Sequence, residues 1–149
     1  VVTGDLGGVV RVWDIRSGAP VLALSGHIKQ VLCADFHPNG YIVATGGGDN
    51  IVRVWDLRKK AAAHTLPAHQ KLISSVRFDR CDAVKRGGQR VLLTSSYDCV
   101  AKMWSNLDYS LVKTLSGHEG RVTGAELSPN GQYVATASFD RTWKLWSRE

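Results

Sequence analysis

The sequence predicts an all-β fold assembled from repeated four-stranded units, and three recurring features carry that prediction. Tryptophan returns in Val12-Trp13-Asp14, Val54-Trp55-Asp56, Met103-Trp104-Ser105 and Leu145-Trp146-Ser147, at steps of 42, 49 and 42 residues. Histidine keeps the same step in Gly26-His27, Ala68-His69 and Gly117-His118. Thr stands ten residues before each Trp (Thr3, Thr45, Thr94, Thr136); six before it stands Asp in three repeats (Asp49, Asp98, Asp140) and Gly7 in the first. A period of about 40–45 residues carrying Gly-His and Trp-Asp is the signature of a four-stranded propeller blade.

Taken in order, residues 1–24 read as the later part of one blade. Residues 25–66 read as a full blade: Val31 to Phe36, Tyr41 to Thr45 and Ile51 to Trp55 are short β-branched and aromatic runs divided by Gly, Asn, Asp or Pro. Such runs suit strands and are too short for helices. Pro38-Asn39-Gly40 joins the first two as a tight turn, and Pro129-Asn130-Gly131 does the same later. Residues 67–115 read as a second full blade with a loop insert at 80–90, because Phe78 to Thr94 spans 16 residues where Phe36 to Thr45 and Leu127 to Thr136 span 9. The insert carries Arg80, Lys85, Arg86 and Arg90 around Gly87-Gly88, a polar stretch of the kind surface loops tolerate. Residues 116–149 read as a last blade lacking its outer strand. About three and a half blades do not close a ring of four to eight. The expectation is a partial propeller, either a piece of a longer protein or one whose open edges pair with another copy.

Composition narrows the class. The 149 residues are 44% hydrophobic and 21% charged, an ordinary globular mixture that disfavours disorder, collagen and disulfide scaffolds. No apolar run approaches the roughly 20 residues of a membrane span, and no targeting segment can be read at the amino terminus. Cys33, Cys81 and Cys99 form no CxxC pair, which suits free thiols in a reducing compartment. Nineteen Lys and Arg against 13 Asp and Glu give +6, a surplus that leaves room for acidic or nucleic-acid partners. Arg11, Arg53, Lys102 and Lys144 recur two residues before each Trp and read as a packing feature with solvated heads; Arg58-Lys59-Lys60 and the insert hold the rest of the surplus.

Gly-His, the Thr and Asp ahead of Trp-Asp, and the four-strand period together resemble the WD-repeat family over the whole chain. Within it, Ser25 to Arg58, Pro67-Ala68-His69-Gln70 in place of Gly-His, and the run from Gly117 to Trp146 are similar to members that serve in small nuclear ribonucleoproteins. The resemblance implies the carboxyl-terminal part of a seven-bladed propeller, acting in the nucleus as a non-enzymatic scaffold in pre-mRNA splicing. It implies partners among the other proteins of such particles, RNA backbone contact as a further partner class, and no membrane or small-molecule substrate. It also implies that His27, Thr45, Asp49 and Trp55 form a structural tetrad, as do His69, Thr94, Asp98 and Trp104, and His118, Thr136, Asp140 and Trp146. In each, Asp accepts from His, His meets the Thr hydroxyl, and Thr meets the indole N–H. With Gly7 at the Asp position and Asp5 two residues early, the first set is expected to be broken.

Catalysis finds little support, because a nucleophile, base and orienting acid are needed once and these sets repeat. The histidines never pair with Cys at zinc spacing, so neither a metal nor a cofactor is expected. Gly46-Gly47-Gly48 reads as a tight turn and lacks the Lys and following helix of a phosphate loop. Partner binding in the family commonly uses the face of loops around Asp and His. Residues there vary among the repeats, and Tyr97, Phe139, Arg121, Arg141 and Lys71 have the aromatic and cationic character of interface hot spots. An alternative function stays open: Trp13-Asp14-Ile15-Arg16 and Trp55-Asp56-Leu57-Arg58 resemble the WDxR box of cullin-type ubiquitin ligase receptors, with Arg16 and Arg58 as adaptor contacts.

Overall fold

The computed structural model describes residues 1–80 and 90–147, so the central part of the predicted insert, with Cys81, Lys85, Arg86 and Gly87-Gly88, lies outside the described residues. Fourteen strands form four antiparallel sheets, and no helix occurs among the described residues. The first sheet holds β1 (Val2–Gly4), β2 (Val9–Trp13) and β3 (Pro20–Ser25). The second runs β4 (Val31–Phe36), β5 (Ile42–Gly47), β6 (Val52–Asp56) and β7 (Ala61–Leu66); the third runs β8 (Ile73–Phe78), β9 (Val91–Ser96), β10 (Val100–Ser105) and β11 (Leu111–Ser116). The fourth holds β12 (Val122–Leu127), β13 (Tyr133–Ser138) and β14 (Trp143–Ser147). Each strand pairs with its sequence neighbour, so the sheets are meanders.

Turn chemistry explains the hairpins. Gly40 and Gly131 sit at φ 81° and 70°, where Gly carries no Cβ penalty, and their N–H groups donate to the carbonyls of His37 and Ser128. The next turn of each sheet also needs a left-handed residue: Gly8, Asn50, Cys99 and Arg141 lie at φ 83°, 66°, 72° and 66°. Gly46 and Gly47 differ from the turn the sequence suggested, since both belong to β5 and only Gly48 begins the turn. The reason is close sheet approach: a Cβ on Gly46 would lie 2.6 Å from Ile73 Cγ2 of the third sheet.

The core is divided into layers between neighbouring sheets. Val10 and Leu24 of the first sheet pack with Val31, Val43 and Trp55 of the second. Ala44, Val52 and Val54 on the opposite side of the second sheet pack with Ile73, Val76, Phe78, Leu92 and Trp104 of the third. Val91, Leu93, Ala101 and Met103 then meet Ala125, Val134 and Trp146. Each central sheet thus turns its Trp toward the sheet before it and its aliphatic face toward the sheet after it. In the fourth sheet, that second face carries Trp143 and Leu145, 71% and 57% exposed.

Polar ties lock the layers. Asp35 of β4 accepts from the Phe78 N–H (2.9 Å) and from Arg80 (2.6 Å), which fixes the beginning of the insert against the second sheet. Ser74 donates to the Val122 carbonyl at 2.7 Å, and Arg77 pairs with Glu126 at 2.9 Å.

Leu92 is fully buried between the second and third sheets. Leu92→Ala is expected to cost about 2–5 kcal/mol in urea unfolding, because the surrounding sheets cannot collapse into the space. Leu107, 84% exposed, supplies the control: Leu107→Ala should stay within about 0.5 kcal/mol.

Candidate functional site

The recurrent polar residues come together in three equivalent sets. In the second sheet, His27 Nδ1 lies 2.8 Å from Asp49, its Nε2 lies 2.8 Å from the Thr45 hydroxyl, and Trp55 Nε1–H donates to that hydroxyl at 2.8 Å. In the third, His69 reaches Asp98 and Thr94 at 2.9 Å each, and Trp104 donates to Thr94 at 3.0 Å. In the fourth, His118 reaches Asp140 at 2.7 Å and Thr136 at 2.8 Å, and Trp146 donates to Thr136 at 2.9 Å. All three His side chains are essentially buried.

Proton bookkeeping fixes the direction of each bond. Asp is an acceptor only, so His Nδ1 carries the proton; a neutral ring then presents Nε2 as acceptor for the Thr O–H, while the Thr oxygen accepts from indole. Burial is the main cause that holds His27 and His69 below the ordinary imidazole value, overriding the aspartates that raise it. For Asp98, burial acts upward but is outweighed by the Gln70 N–H, the His69 ring and the Val100 N–H, leaving its carboxyl low. Asp140 is held low first by the Thr142 hydroxyl, then by His118 and the N–H groups of Thr142 and Glu119, against an upward push from burial.

The first repeat keeps only half of this arrangement. Trp13 donates to Thr3 at 2.8 Å, whereas Asp5 accepts from the Val9 N–H and pairs with Arg11. For three of the four recurrent cations, Arg11, Arg53 and Lys102, such pairing also corrects the reading as solvated heads. Lys102 donates to the Ala68 carbonyl at 2.6 Å, and Arg53 donates to Thr65 at 3.3 Å. Only part of the formal surplus is therefore available to a partner. Arg58, one of the two WDxR arginines, forks onto Asp56 (3.1 and 2.8 Å) and stacks 3.7 Å above the Tyr41 ring, holding the Asp56 carboxyl down to about 2. Arg16 is exposed, and its backbone N–H donates to Asp14.

The candidate partner residues fall at one place with a single exception. Lys71, Tyr97, Arg121 and Phe139 line an open groove of about 450 Å³ between the third and fourth sheets, together with Cys99, Glu119 and Gly120. The Arg121 guanidinium lies 5.2 Å from the Tyr97 ring centre, and Phe139 meets that ring edge-on at 6.1 Å. Arg141 is exposed two residues beyond Phe139 but is not among the lining side chains. Sequence reasoning missed Glu119. It follows its His as Ile28 and Gln70 follow theirs, so comparing that repeat position would have found it. Among the described residues, no three His, Cys, Asp or Glu side chains gather closely enough to hold a metal ion.

Repeated sheets of this kind, three of them holding the same His, Asp, Thr and Trp, define a class of repeat proteins built for interaction. The family described as WD domain, G-beta repeat matches residues 18–56, 61–105 and 109–147, and the chain belongs to that family. It is similar to the U4/U6 small nuclear ribonucleoprotein PRP4-like protein of Arabidopsis thaliana, 46% identical over 56 residues, 38% of this chain and 10% of that protein. It is 58% identical over 38 residues to the U4/U6 small nuclear ribonucleoprotein Prp4 of Mus musculus, 26% of this chain and 7% of that protein. Across 97% of this chain it is 32% identical to pre-mRNA-processing factor 19 homolog 2 of Arabidopsis thaliana, covering 26% of that protein. The chain thus spans a quarter or less, approximately, of the length of these curated relatives.

Thr94→Val removes a hydroxyl that serves both His69 and Trp104 while keeping side-chain volume. Leaving either buried partner unsatisfied costs about 1–3 kcal/mol, so the midpoint of urea unfolding should fall clearly, with Thr94→Ser restoring most of it.

Acid should act in one direction on His27, His69, Asp98 and Asp140, since groups held low bind fewer protons folded than unfolded. The His contribution is present above about pH 6.5 and is lost as pH falls through the folded value; the Asp contribution is present above about pH 4 and is lost below it. The melting temperature is therefore expected to be flat between about pH 7 and 8 and to drop in two stages below; a rise between pH 7 and 5 would contradict the assignment.

Proposed function

We propose that this chain is a non-enzymatic protein-interaction scaffold of a U4/U6 small nuclear ribonucleoprotein, acting in pre-mRNA splicing in the nucleus. The observation that carries this reading is the segmental identity of 58% and 46% to U4/U6 ribonucleoprotein relatives. Partners on this reading are other proteins of the U4/U6 and tri-snRNP particles. Support for a scaffold comes from the division of labour among side chains. The reactive-looking His, Thr and Asp residues are tied up in three equivalent buried sets, which serve as structural tetrads. The variable residues Lys71, Tyr97, Arg121, Phe139 and Arg141 lie outside them on the loops, where they can meet a partner.

RNA contact is the subordinate part of this proposal. Arg58 and Arg80 are paired with Asp56 and Asp35, so Lys59 and Lys60 are the exposed cations left beside Arg58 for phosphate.

Immunoprecipitation of the full-length protein followed by RNA sequencing is expected to recover U4 and U6 RNAs. Their absence from the precipitate would remove the ribonucleoprotein assignment and leave only the repeat scaffold.

A further inference from the structure

We propose that the groove between the third and fourth sheets is a docking site for an extended acidic peptide, with a carboxylate seated between Lys71 and Arg121 and an apolar side chain laid on Phe139. The proposal rests on the scaffold reading above and gives the partner a chemistry.

Three observations point there. The first is uncompensated charge. Lys71, Arg121 and Arg141 form no ion pair with a carboxylate among the described residues, and Glu119 is the single acid lining the groove. The neighbouring aspartates cannot supply that compensation, because Asp98 and Asp140 face inward onto His69 and His118. A cationic rim left without partners favours carboxylates, which Arg binds through a planar fork and Lys as a point charge.

The second observation is apolar surface in register with that charge. Phe139 is 63% exposed at the rim, and its edge-on contact with Tyr97 holds the ring in place. Further exposed apolar side chains stand on the same loops of earlier repeats: Leu6, at the repeat position of Phe139, is 86% exposed, and Ile28, at the position of Glu119 and beside Lys29, is 80% exposed. Cations beside an exposed apolar side chain match a ligand that sets acids beside apolar residues, as an extended peptide can.

The third observation selects a peptide over RNA. Single-strand binding stacks successive bases on successive open aromatic faces, but the Tyr97 ring has Arg121 over it and Phe139 against it, which leaves Phe139 as the one exposed ring lining the groove. Glu119 in the wall repels any anion, and so disfavours a phosphate backbone, charged at every nucleotide, more than a peptide that brings one carboxylate between Lys71 and Arg121.

Two immobilised libraries of 12-residue peptides provide the test, one alternating Glu with mixed Leu, Ile and Phe, the other alternating Lys with the same apolar residues. Full-length protein should be retained at least tenfold more on the Glu library, and retention should weaken as salt is raised. Arg121→Glu and Phe139→Ser, both at exposed positions, should each lower retention about tenfold with an unchanged melting temperature, while Arg16→Glu should not. Cys99 lines the groove, so the bound Glu library released as free peptide should slow its alkylation severalfold by mass-spectrometric mapping. Equal retention on the two libraries, or retention unchanged in Arg121→Glu, overturns the proposal. So does polyuridine binding that Arg121→Glu abolishes without any peptide preference in the parent, which would assign the groove to RNA. Failure of the ribonucleoprotein reading is separable: it appears as loss of U4 and U6 RNAs from the wild-type precipitate, whatever the libraries retain.

Discussion

One hydroxyl in each of the last three sheets, that of Thr45, Thr94 or Thr136, is the point on which the architecture depends. It stands on the second strand of a full blade, receives the indole N–H from the third strand, and meets the imidazole of the loop that precedes the inner strand. The same imidazole is held from its other side by Asp in the turn between second and third strands. Four segments of one repeat are thereby positioned by three hydrogen bonds. Because the His and Thr groups are buried, any of them that lost its partner would incur the full desolvation penalty, which makes the geometry close to all-or-none.

This constraint explains why the repeat tolerates change elsewhere. The residue before the Asp is Gly48, Tyr97 or Phe139, and the residue after it is Asn50, Cys99 or Arg141, although the backbone there takes the same left-handed conformation each time. For Cys99 and Arg141 that conformation is unfavourable by roughly 1–2 kcal/mol. The buried network overrides the local preference, so the turn can present a side chain that its own dihedral angles would not choose. Exposed variety rests on buried uniformity.

Much of this was legible in the sequence, because period and register are properties a sequence displays directly. The strand β4 has the bounds that the run Val31 to Phe36 suggested, and the residues of the recurrent sets were visible from spacing alone. What sequence could not display was contact between sheets. Gly46 looks like a turn residue until Ile73 of the next sheet is placed against it, and Arg80 looks like a free loop cation until Asp35 of another sheet reaches it. The lysine of β10 looked solvated for the same reason: its partner, the Ala68 carbonyl, lies 34 residues away. Along the groove, local variability marks four of the candidate partner residues, whereas Glu119 stands out only when the position after the His is aligned across the repeats.

The offset between sequence repeat and sheet has a consequence for how the chain comes apart. The matched repeat 18–56 begins with β3 and ends with β6, so its first strand completes the first sheet and its remaining strands build the second. The next repeat, 61–105, likewise lends β7 to the second sheet before building the third. No repeat can therefore melt privately. Losing one strips an outer strand from its predecessor and removes a packing layer from its successor, which couples neighbours as in a one-dimensional cooperative array. The unit that is copied along the chain is not the unit that folds, and the mismatch between them ties the sheets together covalently as well as by contact.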